Sequence, residues 1–142
     1  MSAQYSVTHR TNCMTQLSTD IGASAVIKLF QSSTASIPAN CATADLGTLI
    51  CTWTGNATTF GTAASGQLTA NAVVTTPVVA AGSTTGTNPL YYRIYPTAAT
   101  TTNAVHQGTA GLSGTDMILT NTSILAGQNC GFTSLVITAT GA

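Results

Sequence analysis

The chain has 142 residues, of which three are basic (Arg10, Lys28, Arg93) and three acidic (Asp20, Asp45, Asp116), so its formal net charge is zero. Soluble domains ordinarily carry about 25% charged residues; at 4%, this one must build its solvent face from Thr, Ser, Asn and Gln. Three scattered cations cannot neutralise a phosphate backbone, which excludes nucleic acid as an expected partner, and a mean hydropathy of +0.30 without net charge is not the balance of a disordered chain.

The length fits one domain with a modest core. The opening Met1-Ser2-Ala3-Gln4-Tyr5-Ser6 lacks the basic region and apolar centre of an export signal, and no apolar run approaches the ~20 residues of a membrane span. The expectation is a soluble chain made inside the cell, with no membrane partner.

One helix is predicted, over residues 8–21. Val7, Thr11, Met14, Leu17 or Ser18, and Ile21 recur at three- and four-residue steps; Ser6 or Thr8 offers a capping oxygen and Gly22 a stop. Residues 1–22 therefore read as an arm and helix, and residues 23–142 as a β domain. In the run 25–30, Ile27 and Leu29 face one way while Val26, Lys28 and Phe30 face the other. Residues 32–44 form a loop and 46–54 a strand rich in Thr and large apolar groups.

Residues 68–76 and 78–81 read as strand pieces divided by Pro77, and 82–86 as a loop. In 90–95, Tyr91, Arg93 and Tyr95 alternate with Leu90, Tyr92 and Ile94. Residues 104–109, 116–120 and 132–139 complete the set, with turns at Gly111, Gly114 and Gly127, and 97–103 forms a Thr-rich loop. Seven or eight short strands without interleaved helices indicate a β-sandwich or barrel.

Catalytic chemistry finds little material. With three Asp and no Glu, paired carboxylates are scarce, and each Asp has a turn or capping role open to it. His106 and Asp116 with a serine would be needed for a hydrolytic triad, yet no G-x-S-x-G turn is present. The four cysteines (Cys13, Cys41, Cys51, Cys130) and two histidines lack the close pairing of a zinc site. The thiols are expected to be reduced and buried, a Cys41–Cys51 bridge staying open as an alternative. No catalytic residue, metal or cofactor is expected.

Partner contacts are the remaining resource. His9 and Arg10 lie at the helix start, and Tyr91, Arg93 and Tyr95 combine residue types enriched at protein interfaces. A neutral surface associates easily, and edge strands without charges invite pairing with another chain.

Four segments carry a resemblance: Met1-Ser-Ala-Gln-Tyr-Ser-Val-Thr-His-Arg-Thr11, Thr19-Asp-Ile-Gly-Ala-Ser-Ala-Val-Ile-Lys28, Tyr92-Arg-Ile-Tyr-Pro-Thr-Ala-Ala-Thr-Thr-Thr-Asn-Ala104, and Asp116-Met-Ile-Leu-Thr-Asn121 to Gly127-Gln128. They resemble small virion proteins of tailed bacteriophages and prophages, above all capsid cement or decoration proteins. That resemblance implies a mainly β, jelly-roll-like antiparallel β-sandwich with one short N-terminal helix. It further implies a dimer or trimer on the capsid surface, assembled in the bacterial host cytoplasm, that binds the major capsid protein and clamps the head. A phage tail or fibre component is the alternative, and a carbohydrate-binding sandwich using Trp53 a further one.

Overall fold

In the computed structural model, which describes residues 4–32, 37–71, 78–84, 90–96 and 103–140, the expected helix forms as α1, Val7–Ile21. The Ser6 hydroxyl accepts from the His9 amide at 3.2 Å, filling one of the donor positions a helix start leaves open. Gly22 ends it at φ 72°, a conformation cheap only for glycine. Thr11, Thr15 and Thr19 each donate a hydroxyl to the carbonyl four residues back, at 2.9, 3.0 and 3.1 Å, so these weak helix formers are satisfied within the helix. Met14 and Ile21 are buried, whereas Val7 is 52% exposed; the apolar stripe is used only toward its carboxyl end.

Nine strands follow: β1 Val26–Gln31, β2 Thr48–Thr54, β3 Gln67–Thr69, β4 Val78–Val79, β5 Leu90–Tyr95, β6 His106–Gly111, β7 Met117–Leu119, β8 Asn129–Cys130 and β9 Phe132–Thr138. Seven form one sheet in the order β2-β1-β5-β6-β7-β9-β3, and β4 pairs with β8. The chain is thus mainly β with a single helix among the described residues. The sheet is mixed, because β6 and β7 pair in parallel over Ala110↔Met117 and Gly111↔Ile118. Parallel neighbours usually need a long crossover. Here the overlap is two residues, Gly114 at φ 67° reverses the chain, and the Asp116 carboxylate accepts from the Thr109 amide at 3.0 Å in place of a strand partner.

The sheet curls until its ends approach. Ala81 and Gly82 amides donate to Ile50 O on β2 at 2.7 and 3.2 Å, β4 continues to β8 through Val78↔Cys130 and Val79↔Asn129, and β8 runs through Gly131 into β9. Trp53 ties this seam: its indole N–H donates to Cys130 O at 3.0 Å, and its ring meets Phe132 edge to face at 5.2 Å. At the other end, Gly61 N donates to Thr69 O and Asn71 N to Thr59 O, each at 3.0 Å. Both outer edges, expected to be open for pairing, are therefore partly covered from within the chain.

Inside the curl lie Ile27 and Leu29, Cys51 and Trp53, Leu90, Tyr92 and Ile94, Met117 and Leu119, and Leu135 and Ile137, closed by Met14 and Ile21 of α1. The facing expected for β1 and β5 is the facing observed. β3 stops at Thr69; the rest of the strand read over 68–76, with Pro77, falls partly on residues 72–77, outside the described residues. So do residues 85–86 of the 82–86 loop and 97–102 of the Thr-rich stretch.

Candidate functional site

The outer face of β5 carries Tyr91, Arg93 and Tyr95, expected at a partner contact, and in the structure these side chains are buried. Tyr91 and Arg93 are 0% exposed and Tyr95 5%, because residues 37–47 lie across them as a strap. The strap is held through backbone carbonyls, the Leu46 amide and the Asp45 carboxylate. Arg93 donates to Asp45 Oδ1 at 2.5 Å, to Asn40 O at 2.9 Å and to Gln107 Oε1 at 3.2 Å, and Gln107 in turn donates to Pro38 O at 2.6 Å. Tyr91 Oη donates to Leu46 O at 2.6 Å and accepts from Leu46 N at 2.9 Å. Tyr95 Oη donates to Asp45 Oδ1 at 2.5 Å.

Packing completes this second cluster. Phe30 stacks on Tyr91 with ring centroids 5.2 Å apart, and Lys28 Nζ stands 4.5 Å above the Tyr95 ring. Burial opposes the Arg93 charge, but the hydrogen bond and charge of Asp45 outweigh it and hold the guanidinium pKa above its usual value. Burial and the bond to Asp45 push Tyr95 up. The site can therefore hold an ion pair and a strap in place; its polar groups are spent on each other. Asp45, Asn40 and Gln107 were not singled out from sequence. The signal was present: a cation inside a strand buried on both faces requires an acceptor, and only three carboxylates exist.

Of the residues expected at a partner contact, His9 is exposed and Arg10 half-buried. Tyr5, 53% exposed, stacks on His9 at 5.0 Å. Arg10 packs its stem over Gly66, and its Nε is buried without a hydrogen-bond partner. The start of α1 thus exposes the stacked Tyr5–His9 pair and, separately, Val7, well away in sequence from the strap.

A third grouping joins His106 and Asp116 around Gly108. Tyr92 Oη and His106 Nδ1 lie 3.4 Å apart with the rings stacked, and a Cβ at Gly108 would come within 2.7 Å of both Tyr92 Oη and Asp116 Oδ2. Asp116 is occupied with the amide and hydroxyl of Thr109, at 3.0 and 3.1 Å. Burial lowers the His106 pKa, with Asp116 opposing it, and burial raises that of Tyr92. The hydrogen bonds of this group run between His106 and Tyr92 and from the Thr109 amide and hydroxyl to Asp116.

Trp53, the platform a sugar site would need, is 2% exposed. A shallow cleft of 300 Å³ lies between α1 and residues 58–63, lined by Thr15, Ser18, Thr19, Thr58, Phe60 and Thr62. Among the described residues no group of three His, Cys, Asp or Glu side chains is placed to hold a metal, and no helix is long and apolar enough to cross a membrane. The thiols divide differently from expectation: Cys51 and Cys130 are buried, Cys41 is half-buried and Cys13 exposed, all of them free. No protein-family model, curated protein or solved structure matches the chain.

Proposed function

We propose that this chain is a structural virion protein, a cement or decoration protein that binds the major capsid protein shell as a dimer or trimer and stabilises the head. The observation that carries this reading is how the fold treats its few charges. Arg93 is internal and paired with Asp45, Lys28 is half-buried over Tyr95, Asp20 accepts from Gln16 at 2.9 Å, and Asp116 is bound to Thr109. Asp20, Asp45 and Asp116 stay exposed and Arg10 half-buried, but so few charges leave an exterior built mostly of hydroxyls and amides, which packs beside copies of itself with little like-charge repulsion. The segment resemblance to phage virion proteins supports the same reading.

Contact through strand addition is less favoured because the sheet edges are partly covered. The exposed start of α1, with the Tyr5–His9 stack and Val7, is the arm by which each copy bridges capsid subunits, and many weak contacts become firm by multiplicity. The Tyr91–Tyr95 strand acts beneath the strap as support. Cryo-electron microscopy of heads purified from producing cells tests the proposal. Density that fits this fold at local symmetry axes of the shell, lost when the gene is deleted, is the expected result. The same density on the tail would make it a tail or fibre component, and none on the particle would end the reading.

A further inference from the structure

The seam at which the curled sheet closes holds two sulfurs. Cys51 on β2 and Cys130 on β8 are 1% and 5% exposed and belong to one apolar cluster. Their side chains interact with each other across the seam. The backbones are already fixed against each other: Trp53, two residues beyond Cys51 on the same strand, donates to the carbonyl of Cys130 itself. A thiol pair in contact, held by a third interaction between the same two strands, is set for a bond rather than merely packed.

We propose that Cys51 and Cys130 form a reversible disulfide that locks β2 to β8 across the seam when the protein meets an oxidising environment. The oxidant is a low-molecular-weight disulfide such as oxidised glutathione. The Cys130 thiolate attacks one sulfur of the reagent, whose S–S bond breaks, and one glutathione thiolate leaves with the electron pair. Cys51 gives up its proton and attacks the Cys130 sulfur of the mixed disulfide, expelling the second glutathione. Two protein thiols are oxidised to one disulfide, and one oxidised glutathione is reduced to two thiols. Once the seam is open either thiol can make the first attack, and the balance is the same with the two roles exchanged.

The reagent reaches these sulfurs only when the seam opens, so the reaction is slow and speeds up in mild denaturant. The closed loop is long, which gives the bond a large hold on the unfolded chain. The lock stands apart from the virion reading and is tested without it.

The test uses a Cys13→Ser/Cys41→Ser variant, which keeps only this pair, incubated with oxidised or reduced glutathione. The expected product is a monomer lighter by two hydrogens, with the Cys51 and Cys130 peptides joined and a thermal midpoint raised by about 10 °C that reverts on reduction. Stable glutathione adducts on either sulfur, intermolecular dimers or unreacted thiols would overturn the proposal. Should that variant fail to fold, the natural chain is alkylated first at exposed Cys13 and half-buried Cys41 in the native state, and the same masses are read.

Discussion

Arg93 draws its partners from three places: Asp45 and Asn40 in the strap and Gln107 on β6. The pair with Asp45 is lopsided, since the arginine side chain is 1% exposed and the aspartate 34%. Removing Asp45 strands a buried cation, so Asp45→Ala should cost about 3–5 kcal/mol in denaturant unfolding. Arg93→Met leaves a carboxylate that water can reach, and should cost roughly half as much; equal losses would contradict this account of the pair. His106 sets the acid response. Its folded pKa is lowered by burial, so below about pH 6.5 the unfolded chain binds the proton more readily than the folded one. This contribution is intact above that pH and is lost as pH falls. The denaturation midpoint should drop between pH 7 and pH 5, and His106→Gln should flatten that part of the curve.

The strap is the element that most changes the reading of the chain. Gly47 lets it reach β1: φ is +80°, and a Cβ there would sit 2.0 Å from Gln31 O. Gly47→Ala should therefore cost at least about 2 kcal/mol and speed amide exchange in 37–47 before the rest of the sheet; unchanged exchange there would show the strap is not held as described. The bounds of β5 were legible from the Leu90, Tyr92, Ile94 alternation and the end of α1 from Gly22; its start lies one residue before the expected Thr8, capped by Ser6 rather than Thr8. Alternation tells which side chains share a face, but not what lies on it. The strap meets Tyr91 and Arg93 through the carbonyls of Leu46 and Asn40 as well as the Asp45 carboxylate, and side-chain patterns cannot register the carbonyls. β8 is two residues, Asn129 and Cys130, too short for any period, so the seam and its thiol pair stayed hidden as well.

For the whole molecule the controlling fact is a sparsely charged exterior over partly covered sheet edges. Binding to a capsid shell should then depend little on ionic strength: co-sedimentation with shells at about 0.05 M and about 0.5 M salt should give affinities within a few-fold of each other. A chain docking through ion pairs would lose affinity steeply. The arm makes a companion expectation, that deleting residues 1–10 abolishes sedimentation with shells while the melting midpoint shifts by only a few degrees, because Tyr5, Val7 and His9 are exposed. The most direct measurement is quantitative mass spectrometry of purified particles, counting this chain against the major capsid protein. The account predicts a fixed ratio, on the order of hundreds of copies per particle, as symmetric coverage of a head requires. A handful of copies, or none, would contradict it.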